Sequence, residues 1–414
     1  MGISFEGSRH QAWTAWTYIL YGFTRARDKY KQHQSSFTLF YCSWGKDNIP
    51  VHPETQTMAN EKLSKARKAK NDEFYTQFTD IAREIESYLE YNPDTFRDKV
   101  VLLPCDDPEW SNFTLFFAQN FDRLGLRKLI STSYAYESKR LQMPYQPTLF
   151  ESESLQFDIT KSSTRGKIFT LSQDISGDGK IDYKDLQWQY LNGDGDFRSE
   201  EVTMLREEAD IIVTNPPFSL FREFFDWVIT SKKQFLMICN KNCITYKEVF
   251  PSIVKNHIWS GVTKWSGGLW FETKSDEDVD KVIGGVNMKN IPAVWFTNID
   301  HGRRHRPLQL MTMKENLKYS RHKDIRENGY PKYDNYNAIE VAYTDAIPDD
   351  YDGVMGVPIS FLEKHCPEQF EIVGVTENAD YLKPYYIGGN EKYDRPYING
   401  KRMYSRLLIH KTSK

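Results

Sequence analysis

Short segments with strand character, each bounded by polar or turn-forming residues, punctuate the middle of the chain. They are "KVVLLPC" (Lys99 to Cys105), "RKLISTSYAY", "DIIVTN", "QFLMICN" and "IPAVWFTNI". The first is a short unbroken apolar run of the kind that belongs to a strand buried on both faces. Between them lie segments with helical spacing, "FTLFFAQNFDRLG" after the first run and "LFREFFDWVITS" after the third. Strands alternating with helices predict an α/β, Rossmann-like domain around a largely parallel sheet. The stretch from Glu137 to Asp196 is polar and rich in turn signals, although "GKIFTLSQ" within it reads as a strand. Nearer the start, Trp13, Trp16, Leu20 and Phe23 fall at helical spacing, and "NEKLSKARKAK" and "NDEFYTQFTDIAREIESYLEY" continue with helical patterns.

No run approaches the length of a membrane span, and the segment "WTAWTYILYGF" carries polar residues and no small-residue cleavage site. A cytoplasmic protein is expected. With 414 residues the chain should form two or three domains, and its formal charge of −3 advertises no global attraction to nucleic acid. Five cysteines without CxxC spacing argue against a disulfide framework or a zinc site and for reduced thiols.

In open α/β sheets ligands bind beyond the carboxyl ends of the strands. Asp106-Asp107-Pro108 and Asn215-Pro216-Pro217-Phe218 both fall there. Two prolines fix φ and remove two backbone donors, which makes a rigid turn with untethered carbonyls. Asn215 adds a side-chain acceptor, and Phe218 offers an aromatic face on which a flat ligand could stack. That combination suits the exocyclic amine of a nucleobase. A plain rigid loop is the alternative for the tetrapeptide, as helix capping is for the two aspartates.

The tetrapeptide resembles the catalytic motif of S-adenosylmethionine-dependent amino methyltransferases. Together with "NDEFYTQ", "CDDPEWSNF", "GDGDFRS", "NKNCITYKEVFP", "SGGLWF" and "FEIVGVTE", it makes roughly residues 65 to 414 resemble the EcoRI-type family of adenine-specific DNA methyltransferases. The resemblance implies S-adenosylmethionine as cofactor. Phe74, Tyr75 and Thr76 would pack on its methionine end, and Asp106, Asp107 and Pro108 would face its ammonium group. Asp194, Asp196 and Phe197 would lie near its adenine, with Asn215 shared between cofactor and catalysis. Asn215, Pro216, Pro217 and Phe218 become the catalytic residues. Two departures stand out: Trp110-Ser111-Asn112 replaces the usual Gly-x-Gly, and "KLISTSY" ends without an acidic ribose ligand.

"DISGDGKIDYKD" places Asp174, Asp178, Asp182 and Asp185 at calcium-loop positions, yet a strand precedes it where an EF-hand has a helix, so a Gly-Asp-Gly hairpin explains it equally well. Beyond Ile291 the chain interleaves Lys and Arg with Tyr. Arg303, Arg304, Arg306, Lys401, Arg402 and Arg406 are the candidates for DNA contact, and without the base-modifying motif they would read as a solvated face.

The whole reads as an N-terminal extension (1–60), a methyltransferase domain (61–300) and a C-terminal α+β target-recognition region (301–414), in the segment order of the γ group. The expected reaction methylates N6 of a flipped adenine in double-stranded DNA, in a bacterial or phage setting where a cognate restriction endonuclease can accompany it. Alternatives are an RNA or protein amino methyltransferase, a cytosine-C5 enzyme using Cys105, and a catalytically dead nucleic-acid-binding module.

Overall fold

The computed structural model describes residues 74–106, 111–135, 154, 156–273, 279–376, 378–387 and 395–412. The helices expected before residue 71 and the extension 1–60 lie outside the described residues. The centre is an eight-stranded sheet, in spatial order β5 (Gln187–Tyr190), β4 (Lys167–Leu171), β3 (Lys128–Ser133), β2 (Val100–Leu103), β6 (Ile211–Thr214), β7 (Gln234–Asn240), β12 (Ala293–Thr297) and β8 (Trp259–Ser260). All five expected segments supply strands of it.

The side chains of these strands alternate between two cores, which is why their sequences do not alternate in polarity. Val100 and Leu102 enter one core, while Val101 and Leu103 enter the other. Phe235, Met237 and Cys239 of β7 join the first, and Leu236 and Ile238 the second. Helices α1 (Phe78–Tyr91) and α2 (Asn112–Gln119) cover the second core through Ile81, Ile85, Tyr88, Phe113, Phe116 and Phe117. The first core is covered by α3 (Glu200–Glu208), α4 (Phe221–Thr230) and α5 (Phe250–Val254).

The expectation of a largely parallel sheet needs correcting. Only β3, β2, β6 and β7 run parallel; β4, β5, β12 and β8 join antiparallel, so the sheet is mixed. The cause lies in the connections. β4 returns to β5 through the Asp174–Asp185 loop with no crossover α-helix, and the two strands pair antiparallel. β5 (QWQY) carries no apolar run because it is an edge strand with only alternate residues half-buried.

Two smaller sheets flank this centre. One is antiparallel, in the order β1 (Phe74–Thr76), β9 (Leu269–Thr273), β11 (Val286–Ile291), β10 (Lys281–Ile283). The other contains β13 (Ile339–Glu340), β14 (Met355–Pro358), β18 (Arg406–Lys411) and β15 (Phe370–Val375). Its inner residues Met355, Val357, Ile372, Leu407 and Ile409 pack into the same core as Val100 and Leu102. A separate ribbon pairs β16 (Tyr397–Ile398) with β17 (Lys401–Arg402).

Candidate functional site

The carboxyl ends of the parallel strands carry the site. β6 ends at the buried Thr214, after which Asn215 is half-buried, Pro216 buried, and Pro217 and Phe218 half-buried. Pro217 keeps extended backbone (φ −61°, ψ 116°), and its carbonyl accepts the N–H of Leu220 at 3.0 Å to close a single 3₁₀ turn, Phe218–Leu220. Prolines cannot donate within a first turn and push their predecessors out of the α region, so helix α4 begins only at Phe221. The ring of Phe218 meets Phe271 of β9 edge-on, with centroids 6.3 Å apart. The small sheet that begins with Phe74, Tyr75 and Thr76 therefore backs the Asn-Pro-Pro-Phe turn.

Beside it, Asp106 follows β2 at 6% exposure. Ser111, not Asp106, caps α2, accepting the N–H of Phe113 at 3.1 Å while its hydroxyl donates to Asp106 Oδ1 at 3.0 Å. Capping thus does not account for Asp106. Ser131 donates to the Asp106 carbonyl at 2.5 Å and Thr132 to the Pro104 carbonyl at 2.9 Å, so hydroxyls at the end of β3 brace the end of β2. Asn112 Nδ2 donates to the Thr76 carbonyl at 2.8 Å and ties β1 to the same corner. Asp107 and Pro108 lie outside the described residues, as does the side chain of Phe74.

The third wall is the loop of Asp194 and Asp196. Gly195 has φ +85°, and a Cβ there would stand 2.3 Å from the Ser133 carbonyl oxygen; one on Gly166 would stand 2.5 Å from the same atom. The Asp194 carbonyl accepts the Ala135 N–H at 2.8 Å, and the Gly193 carbonyl accepts the Gly166 N–H at 2.9 Å. Close backbone approach needing glycine is therefore present, but beyond β3 and not after the first parallel strand. Gly195→Ala should lower stability more than Gly179→Ala, which also has positive φ (+82°) but nothing within 4 Å. The open site should lose only the ~1–2 kcal/mol of left-handed backbone. Denaturant unfolding measures both, and equal losses would show that the contact with β3 is loose.

Asp196 binds Arg198 through Oδ2–Nη2 at 2.6 Å, and Arg198 reaches Glu223 of α4 at 2.7 Å. Burial raises the Asp196 pKa, but the Arg198 hydrogen bonds and charge, with the Tyr134 phenol donating as well, prevail and hold it below the usual carboxylate range. The Tyr134 phenol is pushed up, first by burial and then by Cys105 and Asp196. Phe197 is fully buried against Phe224 and Trp227, at centroid distances of 5.0 and 5.8 Å. It anchors the loop in the core and presents no ring to a ligand. Burial, then Asp106, pushes the Cys105 thiol well up, with Asp196 adding to it, so the thiolate a cytosine-C5 enzyme requires is disfavoured.

Sequence reading missed Ser111, Ser131, Tyr134 and Arg198. Ser111 was legible as a serine one residue before a helical pattern. Ser131 and Tyr134 act through partners distant in sequence, and Arg198 joins its near neighbour Asp196 to Glu223, 25 residues on.

Asp174 to Asp185 turns its carboxylates into its own backbone. Asp174 accepts the N–H groups of Gly177 and Gly179, Asp182 that of Lys184, and Asp178 pairs with Lys184 at 3.3 Å. Asp185 takes the N–H groups of Asp182, Ser176 and Ile175, which bring its pKa down to about 2. Among the described residues no three His, Cys, Asp or Glu side chains converge as a metal site would need.

The six basic candidates divide. Arg303 is spent on the Val262 carbonyl and on Glu363 at 2.6 Å. Arg304, 8% exposed, lies over the Trp259 ring at 3.5 Å and donates to Asn256 at 2.7 Å. Arg406, 7% exposed, binds the buried Glu340 at 2.6 Å. These three hold the fold together, a correction that a basic run alone could not signal. Arg306, Lys401 and Arg402 are exposed.

The family model for "Adenine-specific methyltransferase EcoRI" matches residues 62–412. The Type II methyltransferase M.EcoRI of Escherichia coli is 41% identical over 355 residues, covering 83% of this chain and 98% of that protein. The Type II methyltransferase M.MpnI of Mycoplasma pneumoniae is 34% identical over 360 residues, covering 84% and 97%. M.MgeORF184P of Mycoplasma genitalium, likewise named a Type II methyltransferase, is 32% identical over 361 residues, covering 84% and 98%. No solved structure matches the chain. With an Asn-Pro-Pro-Phe turn at the end of β6, a family match over most of its length and relatives spanned almost end to end, the chain belongs to the EcoRI-type family of adenine-specific DNA methyltransferases.

Proposed function

We propose that this enzyme methylates N6 of an adenine extruded from duplex DNA, using the Asn215–Phe218 turn as the catalytic element and S-adenosylmethionine as donor. The observation that carries this reading is the shared corner at the carboxyl ends of β2, β3 and β6. There Asp106 is buried and braced by Ser111 and Ser131 at the end of β2, and β2 pairs directly with β6, which ends at Thr214 just before Asn215. A buried carboxylate at that corner fits a ligand bearing an ammonium group beside a sulfonium. Asp106, Tyr75 and Thr76 would hold its amino-acid end, with Asp194 and Asp196 toward its adenosine. When bound, that group supplies a methyl on a good leaving group.

The chain's own residues then have to raise the nucleophilicity of an aromatic amine whose lone pair is delocalised into the ring. The Asn215 side-chain oxygen and the Pro216 carbonyl accept the two amine hydrogens out of the ring plane. The nitrogen becomes more tetrahedral and its lone pair localises, and one proton leaves to water after the new C–N bond forms. Phe218, braced by Phe271, stacks on the base. Arg306, Lys401 and Arg402 contact the duplex, with the region 301–414 reading the target. The relatives' Type II names support a cognate endonuclease as companion. Among the described residues no helix is long and apolar enough to cross a membrane.

Phe218→Ala should weaken capture of the extruded base by ~1–3 kcal/mol, the range for base–aromatic stacking, and Phe218→Trp should keep much of it. A duplex with 2-aminopurine at the target position reports extrusion by fluorescence. A mismatched target, cheaper to extrude, should partly rescue the alanine variant. Unchanged fluorescence and no rescue would take Phe218 off the base.

A further inference from the structure

We infer that the ribbon of β16 and β17 enters a groove of the DNA and that Arg402 reads a guanine there, a role that rests on the DNA reading above and goes beyond charge neutralisation. The ribbon is built to be stiff. Its two-residue turn, Asn399 (φ 50°) and Gly400 (φ 75°), has the left-handed backbone of a tight hairpin. Both turn N–H groups donate to Asp334, at 3.1 and 2.7 Å, and the Tyr397 N–H donates to Asn335 at 3.0 Å. Successive N–H groups in such a turn make an anion-binding nest. Here the chain's own carboxylate fills it, so the tip has no backbone site left for a phosphate.

What the ribbon presents is side chains. Arg402 stands opposite Tyr397 and is exposed, as is Tyr404 two residues on, at 65%. A two-stranded ribbon fits the major groove, and the planar fork of arginine matches O6 and N7 of guanine. The ribbon's place in the fold also favours this role. From the start of α4, just past the Asn-Pro-Pro-Phe turn, Phe221 meets Tyr246 at 6.3 Å, and α5, which follows, sends Phe250 against Tyr381 at 5.1 Å. The same short segment continues to Tyr385, whose carbonyl accepts the Asn337 N–H at 2.7 Å, two residues from Asn335 at the ribbon's base. Two ring contacts and a backbone hydrogen bond, joined by short stretches of chain, thus link the Asn-Pro-Pro-Phe turn to the ribbon, and at its other end the chain enters β18 through the buried Arg406–Glu340 pair.

The test compares the parent with Arg402→Lys and Arg402→Ala, first on the sequence the parent methylates, then on duplexes each changed at one base pair. Salt dependence of binding is measured in parallel. Groove reading gives a loss of discrimination on the order of tenfold or more at a single G·C pair in both variants, with Arg402→Lys keeping the parental salt slope. Weakening by one common factor on every duplex, with a salt slope lower by about one in Arg402→Ala, would make Arg402 a phosphate contact and overturn the inference. Unaltered kinetics in both variants would overturn it as well. If the parent itself methylates no DNA, the failure belongs to the proposed function and not to the ribbon.

Discussion

Asn215→Ala should lower the turnover rate on DNA by on the order of 10²–10³-fold, as loss of one pre-aimed polar group at a reacting centre does, while cofactor and DNA affinities change little. Asn215 sits directly after the buried Thr214, in a turn whose backbone is fixed by Pro216 and Pro217. Removing its side chain takes away an acceptor needed most as the amine nitrogen becomes tetrahedral, and leaves the turn's course to the prolines. Single-turnover kinetics separate the chemical step from binding. A rigid turn with no chemical part would lose stability and affinity together instead. A well-folded variant with parental turnover would remove Asn215 from the mechanism.

Arg406→Ala should destabilise the fold by about 3–5 kcal/mol, because it strands a buried carboxylate. Glu340 is 4% exposed, accepts the Tyr333 hydroxyl and is held by Arg406 through three nitrogen–oxygen contacts of 2.6 to 3.1 Å. Replacing the pair together, Arg406→Met with Glu340→Leu, should recover most of the loss, since apolar residues of similar volume need no charge compensation. Arg402→Ala, exposed four residues earlier, should stay within about 0.5 kcal/mol of the parent. Urea unfolding of the four proteins decides the matter. Parental stability of Arg406→Ala combined with weaker DNA binding would return Arg406 to the duplex.

Arg402 and Arg406 show where sequence reading stops. Both lie in one basic, tyrosine-rich stretch, and nothing local distinguishes the exposed guanidinium from the buried one. The difference is made by Glu340, 66 residues away, which only the pairing of β14 with β13 and β18 brings alongside. Parallel strands such as β2 and β7 were legible because strands buried on both faces are mostly apolar, although β3 closes on the buried Ser131, Thr132 and Ser133. β5 was not, since an edge strand with half-buried residues need not be apolar. Asn-Pro-Pro-Phe was legible because proline imposes its geometry locally. The Asp196–Arg198–Glu223 bridge was hidden, as its geometry depends on how α4 packs beside the loop. Asp106 lay between the two cases: its place at a strand end could be read, but the serine that relieves it of capping was passed over.

The most direct test of the central claim is to incubate the purified protein with unmethylated plasmid and S-adenosylmethionine and to map every modified base by single-molecule sequencing. The account requires N6-methyladenine at one adenine of one short sequence, present with the parent and lost with Asn215→Ala. Methylation on cytosine, methylation scattered without sequence preference, or an unchanged pattern with Asn215→Ala would contradict it.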